Sequence, residues 1–227
     1  LRRAALSVHI LRLDGSSFTE VYEHGLDFAR GTQGYSDPVP NLTDPEVSQH
    51  WNPWRDTWDA DLISLMDIRT PLYPMPLLTT IAFENDGSLI LGFRDRKTDA
   101  IVKNGYGPDG ITPTTGHIAG GDLNKVCLIG GQYSWEGEGA CPNNATTANS
   151  AQDEFRVEYF PGDFMTGQAR YGNSGVVHDE NALGAVLLSP REPDVLSTTM
   201  NATQLYNTNG IGWYDRITGE GPGNDWE

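Results

Sequence analysis

Basic residues are scarce in this chain: fifteen Lys and Arg stand against thirty-one Asp and Glu, a formal charge of −16 over 227 residues. A surface of that sign repels phosphate backbones and anionic bilayers, which argues against a nucleic-acid role. The same charge suits divalent cations or plain solubility, and solubility is the simpler account. Long apolar runs are missing as well. No stretch approaches the roughly 18 to 20 residues that a membrane-spanning helix needs, so no membrane insertion is expected. The opening LRRAALSVHILRLDG sets two arginines before an apolar run, as a secretory signal does. The run alternates, however, with Leu6, Val8 and Ile10 against Ser7 and His9, and no small-residue cleavage site follows. It reads as a strand. Catalytic signatures are also lacking: there is no G-x-S-x-G elbow, H-E-x-x-H, P-loop or G-x-G-x-x-G.

Cysteine is nearly absent. The two that occur, Cys127 and Cys141, lie within VCLIGGQYSWEGEGAC, 126 to 141, with a Gly-Gly turn between them. If Cys127 lies on one strand of a hairpin and Cys141 just past the end of the other, the return path brings them within bridging distance. A disulfide is the expectation, the alternative being two buried thiols in a reducing compartment, because nothing nearby supplies further Cys or His for a metal site. Three N-x-[ST] sequons, at Asn41, Asn144 and Asn201, permit glycosylation, although about two would arise by chance in so Asn- and Thr-rich a chain.

What the chain has in plenty is Gly (26), Pro (14) and short apolar runs that alternate, the composition of strands joined by turns. The clearest unit is IAFENDGSLILGFRDR, 81 to 96. Asp-Gly between two β-prone runs marks a hairpin, because tight turns need the positive φ that Gly tolerates. Its second run, Leu89 to Phe93, is apolar on both sides and predicts an inner strand of a sheet covered on two faces. A similar hairpin recurs at 183 to 200, and a second hairpin type occurs at 8 to 23, 121 to 137 and 210 to 220. Alternation of two hairpin types is how four-stranded β-propeller blades look in sequence. The expected fold is therefore all-β, a single propeller-like segment over 1–227 with about one full and two partial antiparallel blades; a β-sandwich is the alternative.

The spacing exceeds that of compact blades: 114 positions separate Val8 from Asp122 and 88 separate Asp122 from Gly210. Insertions at about 25–77, 97–120 and 138–181 account for the excess, and long insertions of this kind are commonly functional or disordered. The first holds HWNPWRDTW, with Trp51, Trp54 and Trp58. These tryptophans read either as a ligand platform for sugars or a partner or, more simply, as a small core of the insertion. His178, Asp179 and Glu180 precede a predicted inner strand, where a propeller's channel site would lie; the plainer role is to tie down the loop by side-chain to backbone hydrogen bonds. Paired carboxylates such as Asp59 with Asp61 and Asp153 with Glu154 are expected in so acidic a chain. The loop around GPDG, 107 to 110, is oxygen-rich enough to make calcium a candidate, without EF-hand spacing. No other cofactor is expected.

Four stretches in order, LLTTIAFENDGSLILGFRDR, AGGDLNKVCLIGGQYSWEGEGAC, HDENALGAVLLSPREPDVLSTTMN and NGIGWYDRITGE, carry a resemblance. Together they resemble a propeller-like region of large secreted bacterial surface proteins, which often carry serine-aspartate-repeat-type (Sdr) B-like domains. By position, Cys127 and Cys141 match two cysteines of that region, which the resemblance implies are bridged. Thr79-Thr80 and Asn124-Lys125 depart from its motifs. The resemblance implies an extracellular or cell-surface structural protein with no catalytic residue to transfer. The expected function is thus non-enzymatic: adhesion, envelope architecture or extracellular assembly, with the remainder of a longer chain, neighbouring copies or glycans as partners. A secreted propeller hydrolase acting on sugars or lactones through His178, Asp179 and Glu180, and a carbohydrate-binding module using the tryptophans, are the alternatives.

Overall fold

The computed structural model describes residues 6–28, 33–35, 50–55, 73–96, 106, 110–111, 121–143, 176–178, 182–200 and 209–219. Among them are eleven strands in four sheets, and every pairing is antiparallel. The fold is all-β, as the turn-rich composition implies.

At the centre is a four-stranded meander of β4 (Pro76–Phe83), β5 (Leu89–Asp95), β6 (Asp122–Ile129) and β7 (Gln132–Trp135). It joins one hairpin of each type read from the sequence. The first turn is held by the Asp86 carboxylate, whose Oδ1 accepts the Ser88 N–H at 2.8 Å. The second is Gly130-Gly131, with φ of 60° and 82°, so that Ile129 pairs directly with Gln132 in a two-residue hairpin.

The apolar run of β5 explains what surrounds it. Leu89, Leu91 and Phe93 point to one face and join Val126 and Trp135 in a core closed by Val8, Leu26 and Trp51. Ile90 points to the opposite face and joins Leu123 in a second core with Ala182, Val195 and Tyr214. The central sheet is therefore covered on both sides, as expected of an inner strand without alternation.

One cover is the hairpin of β1 (Ser7–Asp14) and β2 (Ser17–Gly25), with β2 lying over β7. The other is the three-stranded sheet of β9 (Ala182–Leu188), β10 (Asp194–Met200) and β11 (Asn209–Asp215), whose β9 crosses β4, β5 and β6. The result is a stack of three layers with two, four and three strands. A simple sandwich has one covered face per sheet, whereas here the middle sheet has two. The layers form an open stack, and among the described residues no sheet closes on itself.

The second interface is unusually close. A Cβ on Gly92 would fall inside the Gly184 carbonyl, so two backbones meet where side chains would normally intervene. A bulge between Leu78 and Thr80 turns the Thr79 hydroxyl into this contact, 2.8 Å from the Gly184 oxygen and 3.1 Å from the Gly92 oxygen. Charged side chains seal the neighbouring edge: Glu84, after β4, is bonded by the Arg216 guanidinium and lies 3.8 Å from the Lys125 ammonium, all three little exposed.

A short ladder joins two of the expected insertions. Strands β3 (Gln33–Tyr35) and β8 (Val176–His178) pair antiparallel, with position 33 opposite position 178. These insertions therefore contain strand and are not structureless throughout.

Candidate binding surfaces

The expected tryptophan platform is divided by the fold. Trp51 is 2% exposed and tilts against Phe93 with ring centroids 6.1 Å apart, so it is a core residue and offers no ring to a ligand. This corrects the platform reading at Trp51. Trp54 is 50% exposed; its indole N–H donates to the Pro76 carbonyl at 2.6 Å, which ties it to the start of β4. Trp58 lies outside the described residues. Beside Trp54, the Arg96 guanidinium lies over the indole at 4.5 Å from the ring centroid, and Arg96 Nη1 donates to the Arg55 carbonyl at 3.2 Å. The Arg55 guanidinium in turn lies 4.6 Å from the centroid of Tyr73, whose hydroxyl donates to the Pro53 carbonyl at 3.1 Å. Sequence reasoning found Trp54 but missed both arginines and Tyr73, because what brings them together is the return of the chain from 73 and 96 to the 50–55 segment.

The outer faces of the stack form a second kind of surface. Residues directly opposite in antiparallel strands share a face. In the three-stranded sheet, Leu187, Leu196 and Trp213 stand in one row across all three strands, with Ile211 beside them; Leu187, Ile211 and Trp213 are exposed. At the other end, Leu13 pairs with Phe18 and both are exposed, as is Leu11. On the central sheet, Ile81 and Phe83 of β4 lie opposite the buried Leu91 and Leu89, yet are 51% and 69% exposed. The two-stranded cover does not reach them.

The ionisable clusters are largely self-satisfied. Asn124 Nδ2 donates to Glu136 Oε1 at 2.8 Å and Asp122 Oδ1 at 3.2 Å, while Glu136 Oε2 accepts the Lys125 N–H at 2.7 Å and Asp95 Oδ1 accepts the Met75 N–H at 3.0 Å. All four side chains are buried, and these bonds lock the edges of the central sheet. On the first hairpin, the register brings His9, Glu20 and Glu23 together within 4.8 Å. All three are exposed, and His9 already has Glu20 at 2.7 Å from Nδ1 and Ser7 at 2.7 Å from Nε2.

Half-buried among aromatics, His24 stacks on Trp135 with centroids 4.2 Å apart and planes 9° from parallel, and the Tyr22 ring lies nearly parallel to it with centroids 6.2 Å apart. Burial pushes its pKa below the usual imidazole range, against the opposing pull of Glu138 and Asp27.

Cys127 and Cys141 form a disulfide. It fastens the 136–141 loop, and with it Glu138, to β6. Position 178 is the end of β8, while Asp179, Glu180, Asn41, Asn144 and Asn201 lie outside the described residues. So does the expected calcium loop, apart from Tyr106 and Gly110.

No family model matches this chain, and no solved structure matches it. The chain is similar to colossin-A of Dictyostelium discoideum, 23% identical over 194 residues; the match spans 83% of this chain but 1% of colossin-A.

Proposed function

We propose that this chain is a non-enzymatic extracellular structural or adhesion segment that works by continuing a stack of sheets. The observation that carries the proposal is the three-layer stack: its middle sheet is covered on both faces, while both outer faces carry exposed apolar rows, Leu11, Leu13 and Phe18 at one end and Leu187, Ile211 and Trp213 at the other. Exposed apolar faces of this kind mark interaction surfaces. The faces suit further sheets of similar build, from the rest of a longer polypeptide or from neighbouring copies, arranged as successive blades. Two other observations support the reading. A structural disulfide suits an oxidising compartment. The similar stretch of colossin-A is about one hundredth of that protein, which is how one segment of a long array would look.

The location is tested by labelling intact source cells with a membrane-impermeant amine reagent. The proposal expects the protein to be labelled before lysis; labelling only after lysis would contradict it.

A further inference from the structure

The margins of the sheets differ in how they are guarded. A strand at a margin presents unpaired N–H and C=O groups, which folded proteins blunt with bulges, proline, lysine or short length. Among the described residues, the pair β1 and β2 carries a bulge after Ile10, β4 begins at Pro76 and bulges at Thr79, and β9 is bulged where it meets β10. Strand β7 has four residues, and β3 and β8 have three each. By contrast β11 runs seven residues in unbroken register with β10 and contains no proline, lysine or arginine. We infer that β11 is a pairing edge for a second copy of this chain, β11 against β11 antiparallel, with the two-fold axis at Gly212. This stands apart from the stacking of outer faces, since the contact runs through the plane of the sheet.

Three features argue for it. First, the edge has groups to offer. The Arg216 N–H donates at 3.0 Å to the Pro193 carbonyl, which the register sets opposite it. Bonding alternates along an antiparallel ladder, so positions 210, 212 and 214 turn their backbone groups to β10, while Ile211 and Trp213 turn theirs outward.

Second, the strand is its own complement about Gly212, which selects a second copy over an unrelated strand. With the axis there all seven residues overlap, Ile211 standing opposite the partner's Trp213 and Asn209 opposite the partner's Asp215. Ile211 and the partner's Trp213 exchange both N–H and C=O bonds in this register, and their exposed side chains meet on one face. No two carboxylates of β11 face each other, which matters in a chain of net charge −16. An axis at Trp213 would oppose Ile211 to Asp215, and one at Ile211 would oppose Trp213 to Asn209.

Third, the pairing prolongs a row already present. Leu187, Leu196 and Trp213 stand in line across the sheet, and the partner's Ile211 takes the next place. Because both copies use the same edge, the contact closes at two, whereas contacts between unlike outer faces propagate.

The test is sedimentation of the full chain carrying Phe18→Ser, which weakens one outer face and leaves β11 intact, with and without Ile211→Pro. Proline at 211 deletes an outward N–H and leaves the ladder to β10 whole. The inference expects the Phe18→Ser chain to form dimers and nothing larger, with amide hydrogen exchange at Ile211 and Trp213 slowed in the dimer. It expects Ile211→Pro to weaken dimerisation at least tenfold with an unchanged thermal midpoint. Should Ile211→Pro fail to fold, Ile211→Lys, which sets a charge opposite the partner's Trp213, replaces it with the same expectation. A Phe18→Ser chain that is monomeric at every concentration, a dimer in which both amides exchange as fast as in the monomer, or full dimerisation by the position-211 variant would each overturn it.

Discussion

At the scale of single residues, the contact between Gly92 and Gly184 is the least forgiving point in the molecule. A methyl group at Gly92 would meet the Gly184 carbonyl and lie 2.8 Å from Val186 Cγ2. The obstruction is backbone, so relief requires the sheets to separate. Overpacking of this kind costs about 1–3 kcal/mol or more, and Gly92→Ala is expected to lower the urea midpoint accordingly. An unchanged midpoint would mean that the layers do not meet there.

His24 sets a second residue-scale expectation. Because burial lowers its folded pKa below that of the unfolded chain, the unfolded state binds more protons in the interval between the two values. Stability is thus complete above the unfolded pKa of about 6.5 and declines as pH falls through the interval. Glu138 and Asp27, the acidic groups acting on the ring, narrow the interval without reversing the sign. Thermal unfolding should show a midpoint that falls on acidification below neutrality, and His24→Phe, which keeps the stack on Trp135, should flatten that dependence. An identical slope in the variant would assign the titration elsewhere. The two nearby tryptophans teach the limit of sequence at this scale. Trp51 and Trp54 share one short motif, but whether a ring is buried depends on what crosses it, and Phe93 and Arg96 come from a distant strand and its end.

At the scale of elements, the hairpins were the most legible feature, because their signals are local. Asp-Gly at 86–87 and Gly-Gly at 130–131 fix turns by backbone conformation, and the unbroken apolar run from Leu89 to Phe93 announced a strand with two covered faces. Three-residue strands such as β3 and β8 are too short to show periodicity, and their partners lie on opposite sides of the central sheet in sequence. The grouping of His9 with Glu20 and Glu23 was equally hidden, since a bulge after Ile10 sets the register. The disulfide belongs to this scale. It closes a loop of 14 residues at the edge of the central sheet, and its removal by Cys127→Ser with Cys141→Ser should cost about 3 kcal/mol in the chain-entropy model. Denaturant titration checks this; a loss near zero would mean that the loop from 136 to 141 is held by its other bonds.

At the scale of the whole molecule, the order of hairpin types in the sequence translates into the order of layers in space: a lone hairpin, a full four-stranded sheet, then three strands. How those layers face one another was not readable, because it rests on long-range contacts such as Thr79 with Gly184, 105 positions apart. What the stack leaves uncovered is the physical basis of its proposed role. Two outer faces of different composition favour head-to-tail contacts, which propagate unless they close into a ring. The most direct test is sedimentation of the isolated 24.9 kDa chain at micromolar concentration, compared with a variant carrying Phe18→Ser and Trp213→Ser, one change on each outer face. The account predicts concentration-dependent association of the wild-type chain and a folded monomer for the variant. A wild-type chain that stays monomeric at every concentration, or a variant that associates as strongly as the wild type, would contradict it.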